Sequence, residues 1–445
     1  MIRRAHEGQY SLRFDPCSTW FSWSRIPRFL GSSGRFRNPR VMESSMLGSP
    51  ASVLELDSRT AWSGAGREGA DHGTPAARRA GATLPGLTAW LAERGEPAYR
   101  SDQVARWIFQ KRARSFAVMT DLPAGLRLAL ESSWAVYQTR VIRRQTATDG
   151  TDKLLLECRD GRRIETVLMR EEDRRTVCVS SQVGCGMGCV FCASGLKGVE
   201  RNLTVGEITE ELLHARDLLP EHERLTNIVV MGMGESLANL ENLIAALDRI
   251  CSPSGLGLSQ RAVTISTVGL PEKIKRLAAL DRRYHLAVSL HAPTEELRDQ
   301  LVPINHKVGL RAVMEAADHY FAVTGRQVTF EYVLLGGIND RDRDARDLVA
   351  LLAGRKAHVN LIPYNPVAGL PYERPAPRDL DRFVRRCRQG GLSVSVRKTK
   401  GKRIDAACGQ LRRRIAEATI PASAGNAGAA IELATPGGSI ARLGG

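Results

Sequence analysis

From residue 176 to 362 short apolar runs alternate with longer amphipathic stretches, and this alternation narrows the possible folds more than any other feature of the chain. Strand-like runs fall at 176–183, 227–231, 262–266, 285–290, 328–334 and 358–362, with helical patterns at 205–219, 239–250, 271–280, 310–323 and 342–352. Alternation of this kind means parallel strands joined by crossover helices. Six units predict an α/β domain built as an incomplete (β/α)6 barrel, in which chemistry sits at the carboxyl ends of the strands.

The first unit carries three cysteines, Cys185, Cys189 and Cys192, at the spacing C-x3-C-x2-C. Three thiolates are one too few for a closed zinc site or for an electron-transfer [4Fe-4S] cluster, each of which takes four protein ligands. The set therefore suggests a [4Fe-4S] cluster with one iron open to a substrate. Gly184, Gly186, Gly188 and Gly195 suit a backbone that turns tightly around it, and Phe191 could exclude water. A disulfide pair, a zinc site completed by a distant His and three buried thiols are the alternatives.

At 445 residues, 43% hydrophobic and 25% charged, the chain can hold a barrel-sized domain with an accessory unit. No apolar run is long enough to span a bilayer. The net charge of +16 favours a polyanionic partner. Nine cysteines without repeated pairing fit a reducing compartment.

Other segments divide the chain. Residues 1–83 show no sustained periodicity and read as a disordered extension; their many arginines resemble a transit peptide, but a start at Met42 or Met46 is preferred. Residues 84–133 form a small helical domain, from Leu87, Trp90, Leu91, Val104, Trp107 and Ile108 at helical spacing. Residues 134–170 form a β-hairpin connector, with strands at 153–157 and 163–169 around Arg159-Asp160-Gly161. The barrel unit, 171–415, ends in a helix at 378–389, a run at 392–396 and a basic segment, and 416–445 is an Ala- and Gly-rich tail.

Polar residues cluster where strands end: Gly232-Met233-Gly234-Glu235, Ser266-Thr267, Ser289-Leu290-His291 and Pro363-Tyr364-Asn365. Singly, each suits a turn or a helix cap. Together they line one rim, where a nucleoside-bearing cofactor needs hydroxyl and amide partners. Glu235 could accept hydrogen bonds from an ammonium group.

The cysteine motif, the GMGE tetrapeptide and the runs VCVSSQVGC (177–185) and IDAACGQL (404–411) together resemble the RlmN family within the radical S-adenosylmethionine (SAM) enzymes. The resemblance spans residues 84 to 415 or so. It implies an enzyme that methylates carbon 2 of an adenine in 23S ribosomal RNA, and of an adenine beside the anticodon in transfer RNA. It implies Cys185, Cys189 and Cys192 as cluster ligands, and Gly234, Glu235, Ser266, Ser289, Leu290, His291 and Asn365 as SAM contacts. Cys408 corresponds to the cysteine that takes a methyl from one SAM; a second SAM, cleaved by the cluster, turns that methyl into the group that adds to the adenine. Cys178 corresponds to the cysteine that resolves the covalent RNA adduct by forming a disulfide with Cys408, and Glu165 to a proton acceptor. A flavodoxin- or ferredoxin-like electron donor, a cytoplasmic location and a monomer are also expected.

Of the remaining cysteines, Cys158, Cys251 and Cys387 read as ordinary thiols, and Cys408 as part of a mobile catalytic loop. Arg397, Lys398, Lys400, Lys402 and Arg403 before it and Arg412, Arg413 and Arg414 after it could hold phosphates. The helical domain, with Arg100, Arg106, Lys111, Arg112 and Arg114, resembles the family's accessory RNA-binding domain. The family usually reads GMGEP, whereas Ser236 stands here, which predicts a local turn change without loss of SAM binding. The rivals are a Cfr-type enzyme acting at carbon 8, a non-catalytic iron-sulfur RNA-binding factor and a zinc-stabilised nucleic-acid binder.

Overall fold

The computed structural model describes residues 51–55, 84–401 and 404–411. In chain order it begins with β1 (Ala51–Ser52), α1 (Pro85–Ala92), α2 (Tyr99–Phe109), α3 (Ala124–Ser133) and β2 (Trp134–Ala135). Proline opens α1, where its missing N–H costs nothing. Helix α2 buries Val104, Ala105, Ile108 and Phe109 along one stripe, against Leu87 and Leu91 of α1 and Leu126 and Leu130 of α3 in one core cluster.

Next come the antiparallel strands β3 (Arg140–Thr146), β4 (Asp152–Glu157) and β5 (Arg163–Arg170). The expected hairpin is present, but it is no separate connector: β5 pairs with β6 (Arg175–Cys178) and so extends the main sheet. The expected single strand at 176–183 is divided into β6 and β7 (Gln182–Gly184), the latter paired with β8 (Val199–Asn202). The break has a local cause, since the Ser180 N–H turns to the carboxylate of Glu211.

The rest alternates: α4 (Val205–Arg216), β9 (Asn227–Val230), α5 (Leu240–Cys251), β10 (Val263–Thr267), α6 (Pro271–Ala278), β11 (His285–Ser289), α7 (Glu295–Leu301), α8 (Asn305–Val308), α9 (Leu310–Thr324), β12 (Val328–Leu334), α10 (Asp342–Leu352), β13 (Ala357–Pro363), α11 (Pro377–Gln389) and β14 (Ser393–Val396). One sheet runs β14-β13-β12-β11-β10-β9-β6-β5-β4-β3. Every neighbouring pair from β6 to β14 is parallel. The sheet is open, with β14 and β3 at its edges, as an incomplete barrel requires. The parallel part has one strand more than the six expected, because β14 adds to β13.

Helix α4 is buried over its whole length, charged residues included. Burial of a carboxylate is tolerable only with hydrogen bonds. Glu210 therefore accepts from the Thr139 N–H and hydroxyl, both at 2.6 Å, and from Ser52 at 3.3 Å. That last bond bears on the extension: residues 51–55 lie within the stretch expected to be disordered, yet β1 pairs with β2 and Val53 and Leu54 are completely buried. Five residues far from the helical domain in sequence thus fill a gap over α4 and α5, with the Leu54 carbonyl taken by Arg249. The other residues of 1–83, Cys17 and the 416–445 tail lie outside the described residues.

Candidate active site

All the expected site residues except Glu165 sit at or just beyond the ends of parallel strands or on the loops that close over them. Cys185, Cys189 and Cys192 line one cavity, together with Glu235, Ser266, Ser289, His291 and Asn365. Their loop turns through Gly184 and Gly188, which have φ of 81° and 73° and so need glycine. Gly186 and Gly195 have no such φ, so the expected need for glycine holds at two of the four positions.

Burial raises all three thiols, Cys185 to about 12. At Cys192 it is opposed by the N–H groups of Ser194 and Gly195. Thiols in such a place become thiolates only when a cation takes the proton's position. Among the described residues no three His, Cys, Asp or Glu side chains converge closely enough to hold a single metal ion. All eight cysteines among the described residues are free, so the disulfide alternative finds no bonded pair.

The opposite wall comes from the strand ends. Glu235 is buried, its Oε2 accepting from the Val268 N–H (2.8 Å) and its Oε1 from the Leu237 N–H (3.0 Å). With a further bond from the Thr267 side chain, the carboxylate keeps one lone pair for a ligand. The glycines of the GMGE turn serve the protein rather than the ligand: a Cβ at Gly232 would stand 2.6 Å from the Val179 carbonyl oxygen, and one at Gly234, where φ is 108°, 2.7 Å from the Gln182 backbone. Ser236 opens a 3-10 turn and donates to the Val230 carbonyl, 3.2 Å away. The hydroxyls of Ser266 and Ser289 stand 3.4 Å apart.

His291 has φ of 62°, accepts the Val333 N–H at Nδ1 (3.1 Å) and packs edge-on against Phe191. Burial, helped by Arg298, lowers its pKa to about 3, so it is neutral, with its proton on Nε2. Leu290 is different. Its side chain lies in the main core, its carbonyl is taken by Arg298, and it does not line the cavity. The strand ends at Ser289, and the turn beyond it, left-handed at His291, brings His291 back to the cavity while Leu290 stays in the core.

A second cavity adjoins the first. Cys178 and Cys408 both line it, with Val167, Met169, Lys398, Thr399 and Lys400. Met231, Ile362, Asn365, Arg397 and Cys408 line both, so Cys408 stands at the seam. Its loop is tied down: the Ala193 N–H donates to the Gly409 carbonyl (2.8 Å), the Ser194 hydroxyl to the Leu411 carbonyl (2.9 Å) and the Gln410 amide to the Pro366 carbonyl (2.8 Å). Burial, and then Cys408, push the Cys178 thiol up to about 12, with Arg397 opposing.

Glu165 lies on β5, on the face that carries Val167 and Met169 into this cavity, two and four residues away. It is buried and ion-paired with Lys153 at 2.9 Å. Lys153 also donates to the Asp405 carbonyl at 3.2 Å, joining β4 to the Cys408 loop.

Several basic residues have other duties than those expected. Arg397 is half-buried and faces Cys408, Glu331 and Cys178 rather than phosphates. Arg112 donates to the carbonyls of Leu219, Pro220 and Glu223, and Arg114 pairs with Asp217, which docks the helical domain on the end of α4. Arg100 bonds Gln103 and the Asp121 carbonyl, and Lys111 covers Trp107. Lys398 and Lys400 line the cavity of Cys408, and Lys400 also stands 3.7 Å from the Glu171 carboxylate. Lys402, Arg403 and Arg412 to Arg414 lie outside the described residues. Lys153, Arg298 and Glu331 escaped the reading of the sequence; a charge inside an apolar strand run, as at Lys153 before Leu154-Leu155-Leu156, is the one signal that was there.

The three-thiol cavity with a buried carboxylate and serine hydroxyls opposite suits an iron-sulfur cluster and a polar nucleoside-bearing ligand. Comparison with known proteins agrees. Residues 179–349 match the radical SAM superfamily, and residues 80–136 match the ribosomal RNA large subunit methyltransferase N-terminal domain. A probable dual-specificity RNA methyltransferase RlmN of Rhodopirellula baltica is 54% identical over 335 residues, covering 75% of this chain and 90% of that one. The same-named protein of Geobacillus kaustophilus is 44% identical, covering 75% and 91%. The crystal structure of a radical SAM methyltransferase from Sphaerobacter thermophilus matches with a TM-score of 0.72 at 43% identity, over 74% of this chain and 97% of that one.

Proposed function

Because the chain belongs to the RlmN family of radical SAM RNA methyltransferases, we propose that it methylates carbon 2 of an adenine in 23S ribosomal RNA and of an adenine beside the anticodon in transfer RNA. The observation that carries this reading is the position of Cys408 at the seam of two cavities, one lined by the cysteine triad and the other by Cys178. When bound, the [4Fe-4S] cluster and SAM supply the electron, the methyl group and the radical chemistry.

The chain's own residues then have separable tasks. Cys185, Cys189 and Cys192 hold the cluster, while Glu235, Ser266, Ser289, His291 and Asn365 offer SAM its polar partners. Leu290 contributes only by backing that wall. Cys408 is the nucleophile that carries the methyl group, as a thiolate does in covalent catalysis. Two SAM molecules are used in each turnover, one for the methyl and one for the radical step.

Glu165 takes the proton from carbon 2 of the adduct, its carboxylate aligned by Lys153. Cys178, as its thiolate, then attacks the Cys408 sulfur: the S–S bond forms as the bond from that sulfur to the methylene carbon breaks. The carbon keeps the electron pair and takes up a proton, which releases the base with its methyl group. The Cys178 thiol is protonated at neutral pH, so it must first lose that proton, and the Arg397 guanidinium beside both sulfurs favours the thiolate. Val167, Met169 and Ile362 give the base an apolar seat, with Lys398 and Lys400 at its rim for phosphates. A cytoplasmic monomer served by a flavodoxin or ferredoxin completes the reading; no helix among the described residues is long and apolar enough to cross a membrane.

Mass spectrometry of nucleosides from RNA treated with the reduced enzyme and SAM tests the proposal. We expect 2-methyladenosine. If 8-methyladenosine is the sole product the enzyme is of the Cfr type, and if no 5′-deoxyadenosine forms it is a non-catalytic binder.

A further inference from the structure

The Arg298 side chain is among the largest that are completely buried. Its guanidinium bonds only neutral groups: the carbonyls of Val268 (2.5 Å), Leu290 (3.1 Å) and Ser289 (3.4 Å), and the amide oxygen of Asn305. Two carboxylates, Glu295 and Asp299, favour its charge through space but make no hydrogen bond to it, being turned to the Asn305 amide nitrogen at 2.9 and 2.7 Å. A buried cation whose every hydrogen bond goes to a dipole is costly, and two carboxylates that do not touch it compensate it only in part.

The position of Arg298 indicates where the rest of the compensating charge resides. Val268 and Ser289, whose carbonyls it holds, line the cysteine cavity. Helix α7 carries Arg298 and ends at Leu301, whose carbonyl accepts the N–H of Val190, the residue after Cys189. Pro303 underlies Gly188 on the same loop. The cysteine loop thus rests on the element that holds the guanidinium.

We propose that Arg298 is the built-in counter-charge of the iron-sulfur cluster and sets its reduction potential from behind the cavity wall. This rests on the reading of Cys185, Cys189 and Cys192 as cluster ligands. Three cysteinates make the assembly anionic, and reduction adds a further negative charge. A fixed cation stabilises the reduced form more than the oxidised one, and so raises the potential. Arg298 is in this sense a positioning residue: it touches neither SAM nor the reacting atoms, and acts through the cluster.

The test is an EPR-monitored redox titration of anaerobically reconstituted full-length protein, comparing the native chain with Arg298→Gln and Arg298→Lys. Arg298→Gln should cut the ratio of reduced to oxidised cluster at the native midpoint at least tenfold, a shift of about 59 mV to lower potential, while Arg298→Lys stays near native. An unchanged potential in Arg298→Gln, or equal falls in both variants, overturns the proposal. Should Arg298→Gln fail to retain iron, Arg298→Lys and Asn305→Leu decide: both keep the charge and lose hydrogen bonds, so native potentials support the proposal and a fall in both overturns it. Failure of the native chain to bind iron and sulfide would refute the ligand reading itself, which is a separate outcome.

Discussion

The cysteine triad and the Cys178–Cys408 pair occupy adjoining cavities but are specified in opposite ways. Cys185, Cys189 and Cys192 lie on one loop, so their proximity is a matter of spacing and two glycines with positive φ. Cys178 ends β6 and Cys408 lies on a loop beyond the last strand, so their proximity requires the whole sheet between them to form. The first arrangement can persist in any fold that tolerates the loop. The second exists only in the complete domain, and on the function proposed above it is the one that ties the site to RNA methylation rather than to radical chemistry in general.

Separate substitutions should therefore separate the two functions. The largest effect is expected from Cys408→Ala, which should abolish methyl loading of the protein, read by intact-mass measurement, while iron content stays native. Cys189→Ala should instead lose the iron. Iron loss in Cys408→Ala would break the comparison. Next, Cys178→Ala should load methyl and attack RNA but leave it crosslinked to protein, visible as a slow-migrating band. Free methylated RNA at the native rate from this variant would remove the resolving role of Cys178.

A smaller effect is expected where the distant pair is held together. Lys153 joins Glu165 to the Asp405 carbonyl, and Asp405 has φ of 50°, a conformation that its neighbours must maintain. Lys153→Met leaves a buried carboxylate without its cation, a loss of about 3 kcal/mol by analogy with other broken buried pairs. Denaturant titration should record that loss, and iodoacetamide should alkylate Cys408 faster, with iron content unchanged. Unchanged alkylation would mean that the loop is held well enough by its bonds to Ala193, Ser194 and Pro366.

The same contrast explains what could be read from the chain before folding. Helices α4 to α6, α9 and α10 were legible to within three residues, and α10 to the residue, because an amphipathic stripe is a local property. The cysteine motif was legible for the same reason. Residues 51–55, the pairing of β14 with β13, the Lys153 bridge and the Arg298 site were not. Each depends on a partner tens to hundreds of residues away, and a single buried charge leaves no periodic trace. Leu290 shows the limit within a motif: Ser289-Leu290-His291 is continuous in sequence, but the turn after β11 leaves its middle side chain in the core. Arg112 and Arg114 show it for charge, since a basic residue spent on carbonyls or on Asp217 looks in sequence like one offered to phosphate.

The smallest effect belongs to the locally specified wall, at Ser236. Here the family's usual proline is replaced, and the geometry says why the exchange is mild. Ser236 is the first residue of a 3-10 turn, a place where proline is tolerated because its N–H has no partner to lose. Glu235 before it has φ of −94° and ψ of 113°, within the extended region that a following proline requires. Proline would cost the hydroxyl bond to the Val230 carbonyl, about 1 kcal/mol, and return a comparable gain by restricting the unfolded chain. Ser236→Pro should therefore leave the melting temperature and the SAM dissociation constant close to native, the latter measured by equilibrium dialysis on the reconstituted protein. A tenfold weakening of SAM binding would mean that the Ser236 hydroxyl, and not only the Glu235 carboxylate beside it, is part of the cofactor wall.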